Sequence, residues 1–125
     1  MASKILIADD DLLLRTLMEH KLVASGLDVV IAADGSEALE VAARERPDVI
    51  VLDAMMPVSD GFEVLRTLKS DPALRAIPVI MLTARRREDD IVGALRLGAA
   101  DYITKPFMPE ELVARIDRLL ATKAA

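Results

Sequence analysis

Several side chains in this sequence could share one chemistry. Asp9-Asp10-Asp11 form an acidic triplet, Asp53 follows the apolar run Val49-Ile50-Val51-Leu52, and Thr83 and Lys105 each close a later apolar stretch. An aspartate after a strand is most often a helix cap, and Asp11 is read as one. Asp9, Asp10 and Asp53 fit that reading less well, because uncompensated carboxylates at short range repel and raise one another's pKa. A hard divalent cation with oxygen ligands relieves the repulsion, and Mg2+ takes one or two carboxylates together with waters and phosphate oxygens. A lysine adds the point charge that phosphate binding uses, and a threonine adds a hydroxyl donor. The combination suits a metal ion plus a phosphoryl group.

Those side chains must be brought to one edge by the elements that precede them. Five short apolar runs alternate with stretches of helical period: Ile5-Leu6-Ile7-Ala8, Val29-Val30-Ile31-Ala32, Val49-Ile50-Val51-Leu52, Val79-Ile80-Met81-Leu82 and the weaker Tyr102-Ile103-Thr104. The first four are continuous rather than alternating, as strands covered on both faces require. Between and after them run apolar stripes at helical spacing: Leu14, Leu17, Met18, Leu22; Ala38, Leu39, Ala42; Phe62, Leu65, Leu68; Ile91, Ala94, Leu95; and Leu112, Val113, Ile116, Leu119, Leu120. Gly26 and Gly98 sit where the first and fourth helices should end. Asp34-Gly-Ser-Glu37 and Asp60-Gly-Phe-Glu63 have capping-box spacing, and Pro109 suits the first position of the last helix. The pattern is (βα)5, an α/β fold with a parallel sheet and helices on both faces. In such sheets, sites form outside the carboxyl ends of the strands, where the strand order reverses.

Composition narrows the function. The chain has 125 residues, 53% of them apolar and 30% charged, which predicts one folded domain over residues 1–125. No apolar run approaches the roughly 20 residues needed to span a bilayer, so no membrane association is expected. Met1-Ala2-Ser3-Lys4 leads straight into a run holding Asp9, which is not the pattern of a signal peptide. The absence of cysteine removes disulfides and thiolate chemistry and favours a cytoplasmic setting. Sixteen basic residues against 21 acidic ones give a net charge of −5, which argues against direct nucleic-acid binding. With one histidine and three aromatics (Phe62, Tyr102, Phe107), chemistry must rest on carboxylates. His20, between Glu19 and Lys21, reads as a solvated surface residue. Met55, Met56 and Met81 read as core filler rather than as a soft interaction surface.

The segments KILIADDD (4–11), PDVIVLDAMMPVSDG (47–61), PVIMLTA (78–84) and GAADYITKPF (98–107) resemble the receiver domain of two-component response regulators, the family that includes the chemotaxis response regulator. The resemblance runs from Lys4 to about Leu120. It implies a doubly wound, five-stranded parallel sheet of flavodoxin-like order 2-1-3-4-5. It also implies a phosphorylation switch rather than an enzyme acting on a metabolite, with a sensor histidine kinase or histidine phosphotransfer protein as partner. Asp53 then resembles the phosphoacceptor. Asp10 resembles the direct Mg2+ ligand, Asp9 its water-mediated neighbour, and Met55 the donor of a main-chain carbonyl. Lys105 would pair with a phosphoryl oxygen, with a cis bond to Pro106. Thr83 would bond the phosphoryl group, and Tyr102 resembles the aromatic that turns inward with it. Met55 and Arg85 occupy the two positions that control access of hydrolytic water, and neither can act as a base.

Rival readings are weaker on the residues. A haloacid-dehalogenase-type phosphatase needs a second acid two positions after its nucleophile, where Met55 stands. A flavodoxin-like flavin carrier needs a hydroxyl- and glycine-rich loop where Asp9-Asp10-Asp11 would repel phosphate. An unphosphorylated interaction module remains, although all five chemical positions are filled. Near the C-terminus the chain resembles receivers of winged-helix regulators, which pair through the fourth helix, fifth strand and fifth helix. Asp101, Glu111 and Arg115 fit that pattern, whereas Ile91 replaces a basic residue and Arg96 and Asp117 carry reversed charges. Two readings stand for Arg96 and Asp117: ordinary solvated residues, or a reversed but complementary pair for a phosphorylation-dependent homodimer.

Overall fold

A computed structural model describes residues 2–56, 60–84 and 88–124. Its strands are β1 (Lys4–Ala8), β2 (Asp28–Ala32), β3 (Val49–Asp53), β4 (Val79–Thr83) and β5 (Asp101–Thr104). Its helices are α1 (Leu12–Ala24), α2 (Gly35–Glu45), α3 (Gly61–Ser70), α4 (Glu88–Arg96) and α5 (Pro109–Ala124). All neighbouring strands pair in parallel, in the order β2-β1-β3-β4-β5. The expected (βα)5 architecture and strand order are both present.

Each strand alternates its side chains between two cores, because successive Cβ atoms point to opposite faces. Leu6, Ile50, Leu52, Val79 and Met81 join Val41, Leu65, Leu68 and Ala94 under α2, α3 and α4. Ile5, Ile7, Val51, Ile80 and Leu82 join Met18, Leu22, Leu112 and Ile116 under α1 and α5. β1, β3 and β4 are therefore covered on both faces. β2 is less covered than its continuous apolar run implies: Val29, Val30 and Ile31 are only half-buried, because β2 is an edge strand.

Local signals end the helices where the sequence places them. Asp11, Asp34 and Asp60 are N-caps whose carboxylates accept from the amides of Leu14, Glu37 and Glu63. The Glu37 side chain reaches one residue further back than a capping box does, accepting from the Ala33 amide at 3.0 Å. Gly26 and Gly98 adopt φ of +88° and +107°, the conformation that turns the chain after α1 and α4. Two stripes are less buried than their period suggests. Leu17 of α1 and Leu95 of α4 are exposed, and Ala94 is the one buried residue of α4.

Gly61 fixes how closely α3 approaches the end of β3. Its amide donates to the Ala54 carbonyl at 3.0 Å. A Cβ there would press on the Asp53 carbonyl oxygen and stand 2.7 Å from the Ala54 Cα, both rigid backbone. Gly61→Ala is therefore expected to destabilise the fold by roughly 1–3 kcal/mol, as overpacking does. Denaturant unfolding measures this, and a loss below about 0.5 kcal/mol would show that the segment yields freely.

Candidate functional site

The carboxyl ends of β1, β3, β4 and β5 bring Asp9, Asp53, Thr83 and Lys105 to one edge of the sheet. The pairing of Ala8 with Leu52 sets the two acidic ends side by side, and that of Asp53 with Leu82 carries the edge on to Thr83. Thr83 is opposite Thr104, which directly precedes Lys105. Asp9 is 0%, Asp53 3% and Thr83 0% exposed, whereas Asp10 is exposed.

Burying two carboxylates is costly unless each is paired and hydrogen-bonded. Lys105 Nζ lies 3.3 Å from Asp9 Oδ2 and 3.4 Å from Asp53 Oδ2, so one ammonium serves both. Asp9 Oδ1 accepts from the Asp11 amide at 2.9 Å, and Asp53 Oδ1 accepts from the Met55 amide at 3.1 Å. The Asp9 amide donates to Ala32 O, and its carbonyl accepts from Arg15 Nη1, each at 3.1 Å. The expectation of uncompensated acids is thus corrected: the two buried carboxylates share a cation supplied by β5.

Ligand oxygens of Asp9, Asp10 and Asp53 lie within 4.8 Å of one another. Three hard oxygen donors at that spacing, one exposed and two held in place, fit a small divalent cation such as Mg2+. Burial raises the Asp53 pKa to about 6; the Met55 N–H opposes this, Asp9 adds to it and Lys105 opposes it.

The remaining expected residues divide. Met55 is 55% exposed, which corrects its reading as core filler; Met56 and Met81 are buried. Arg85 lies outside the described residues. The Lys105-Pro106 bond is cis. Tyr102 is half-buried against the α2–α4 core, and it is opposite Met81. Thr83 follows Met81 by two, so the alternation of the strands places Thr83 and Tyr102 on the same face of the sheet. His20 is exposed, as expected. Sequence reasoning missed Arg15, which lay unremarked among the leucines opening α1. It also read Gly61 only as a helix start, although a glycine directly after the Asp60 cap was a hint of close approach.

A groove of about 420 Å³ adjoins the site, lined by Asp11, Leu13, Leu14, Leu17, Ala84, Lys105, Pro106 and Phe107. Leu12, Leu13 and Leu17 are exposed around it.

The pKa of Asp53 gives a test with a definite sign. A carboxyl whose folded pKa lies above its unfolded value binds more protons when folded, so its contribution to stability is full below the unfolded pKa. That contribution is lost as pH rises from about 3.8 to about 6. Without divalent metal, the difference in stability between the protein and Asp53→Asn is expected to shift across this window, with the natural protein losing ground as pH rises. Urea unfolding in chelator at several pH values reads it, and a pH-independent difference would contradict the raised pKa.

Comparison with known proteins agrees with this fold. A sequence model described as the response regulator receiver domain matches residues 5–117. The chain is 48% identical over 120 residues to the alkaline phosphatase synthesis transcriptional regulatory protein PhoP of Bacillus subtilis, covering 96% of this chain and 49% of that protein. It spans about half the length of the curated relatives it matches. Among solved structures, the receiver domain of the Francisella response regulator 1452 superposes with a TM-score of 0.92 at 36% identity, covering 97% of this chain and 98% of that one. The BeF3-activated N-terminal receiver domain of Klebsiella pneumoniae RstA gives 0.84 at 35% identity, covering 94% and 97%.

Proposed function

This chain belongs to the response-regulator receiver family, and from that membership and the site geometry we propose that it is a phosphorylation switch whose acceptor is Asp53. The observation that carries the reading is one lysine shared by two buried carboxylates, with the exposed Asp10 beside them. An Asp53 oxygen attacks the phosphorus of a phosphohistidine on a sensor kinase or phosphotransfer protein. The O–P bond forms, the P–N bond breaks, and the imidazole leaves; the product is an aspartyl phosphate. With its pKa near 6, Asp53 is largely ionised at neutral pH and ready to attack.

Lys105 already sits against Asp53 Oδ2, where it can follow the charge onto a phosphoryl oxygen while keeping its contact with Asp9. Asp10 and Asp53, with Asp9 through a water and the Met55 main-chain carbonyl, would hold Mg2+. When bound, that ion supplies neutralising charge for the phosphoryl oxygens, so the catalysis is positioning plus electrostatics. The protein thus assists its own phosphorylation and dephosphorylation without acting on a metabolite. The Thr83 hydroxyl takes a phosphoryl oxygen, and its movement frees space for Tyr102 on the same face. The apolar groove beside Lys105 receives the surface that carries the donor histidine.

We read residues 1–125 as a single receiver domain working in the cytoplasm beside its kinase. None of the described helices is long and apolar enough to cross a membrane. The output, in a regulator of which this chain is a part or in a separate partner, is controlled through α4, β5 and α5, without direct nucleic-acid contact by this domain.

Asp53→Asn is expected to abolish labelling by a small acyl-phosphate donor in the presence of Mg2+ while leaving the fold intact. Intact-mass spectrometry measures this, and stoichiometric labelling of the variant would remove Asp53 as acceptor.

We propose a second copy of the chain as the partner for the α4–β5–α5 face. Asp101 is engaged within the chain by Arg115 at 2.6 Å and Arg118 at 2.8 Å, whereas Arg96 and Asp117 are exposed and have no ion pair among the described residues. Exposed pairs contribute about 0–1 kcal/mol each, so Arg96→Glu should weaken a phosphorylation-dependent dimer roughly two- to fivefold. Adding Asp117→Arg should recover the loss. Sedimentation of the beryllofluoride-treated protein reads the dimer, and an activated monomer at high concentration would leave the face to other partners.

A further inference from the structure

Asp10 is exposed, so some contact within the chain must hold the backbone that presents its carboxylate. We propose that Arg15 is a positioning residue for Mg2+ binding, its guanidinium fixing the Asp9–Asp10 peptide that presents Asp10 without touching the ion. This inference rests on the reading of Asp10 as a ligand.

The Arg15 guanidinium holds the start of the acidic triplet. Its Nη1 donates to the main-chain carbonyl of Asp9 at 3.1 Å, while the Arg15 amide makes the ordinary first helical bond of α1 to the Asp11 carbonyl at 2.9 Å, which any non-proline residue there would keep. A third bond closes the turn from within, from the Asp11 amide to Asp9 Oδ1 at 2.9 Å. Asp10 is the middle residue of that closed turn, with its carboxylate exposed. Leu12, Leu13 and Leu14 complete the start of α1, and none offers a side-chain donor. Without the guanidinium, the Asp9–Asp10 peptide loses the hydrogen bond that fixes its carbonyl.

Charge and geometry pull in opposite directions here, and that makes the proposal decidable. A guanidinium beside a dication site repels the ion, so removing a residue that acted only through its charge would tighten Mg2+ binding. Removing a residue that holds a ligand in place loosens it, as loss of the supporting partners of metal ligands does.

The experiment is isothermal titration of the full chain with Mg2+ alone, with melting temperatures in chelator as a control for folding. Arg15→Gln is expected to weaken Mg2+ binding about tenfold, in the range seen when ligand-supporting residues are lost. Arg15→Lys, which keeps the charge but not the planar fork, is expected to fall between Arg15→Gln and the natural protein. Equal or tighter Mg2+ binding by folded Arg15→Gln overturns the proposal. Should Arg15→Gln fail to fold, Arg15→Lys carries the test, because its charge is unchanged and undiminished affinity would overturn the need for the guanidinium. Asp10→Asn separates the two levels. If it leaves Mg2+ affinity unchanged, the ligand reading itself fails, and this inference with it. If it weakens binding while Arg15→Gln does not, only the positioning role is lost.

Discussion

Two carboxylates a few ångströms apart cannot be kept out of water unless something offsets both their desolvation and their mutual repulsion. Asp9 and Asp53 are in that position, and Lys105 Nζ meets both at 3.3 and 3.4 Å. The lysine comes from β5, at one end of the sheet, and the acids from β1 and β3 near its middle. Just past the end of β4, Ala84 lines the same groove as the lysine. The requirement for a shared cation therefore constrains the strand order and the path of the chain after β5.

The same constraint separates the acids by task. Asp9 has its Oδ1, Oδ2, amide and carbonyl all engaged within the chain, so it is part of the frame. Asp53 has one oxygen tied to the Met55 amide and the other beside Lys105, a contact that can be exchanged. Asp10 is exposed and faces water. A metal ion can displace water from Asp10 at little cost, whereas it would have to break buried hydrogen bonds to take Asp9 directly. Burial thus supports the proposal that a metal ion would contact Asp10 directly and Asp9 through water.

Much of this was legible in the chain, for reasons that are local. Continuous β-branched runs ending in polar residues located β1, β3 and β4 and the site at their carboxyl ends, because burial on both faces leaves the strand end as the place for a polar group. Asp11, Asp34 and Asp60 announced the helix starts by cap chemistry alone. What the sequence did not convey is tertiary. Leu17 fits its helical stripe as well as Met18 does, but α5 packs on only part of that stripe, and Leu17 was left beside a groove. Val29 and Val30 read like the residues of β3, yet an edge strand is covered less fully. Met55 has the apolarity of core filler but follows the end of β3, where the core stops. The grip of Arg15 on the Asp9 carbonyl leaves no periodic trace at all, since a side chain bonding to backbone imposes no pattern on its neighbours.

Packing is also uneven across the faces. α2 and α3 each bury four residues, whereas in α4 only Ala94 is buried. Gly93 sits inside α4 with no atom within 4 Å of where its Cβ would be, so neither crowding nor a strained φ calls for glycine there. Its cost to helix stability, about 1 kcal/mol relative to alanine, is not offset by any close approach. A helix with so little buried surface opens and shifts at lower free energy than its neighbours. Thr83 ends the strand that leads into α4, and Tyr102 lies on β5 against the same core that receives Ala94. Among the described residues, the helix with the fewest buried residues is therefore the one that follows β4, whereas Asp9 is tied by its amide to Ala32 and by its carboxylate to Lys105.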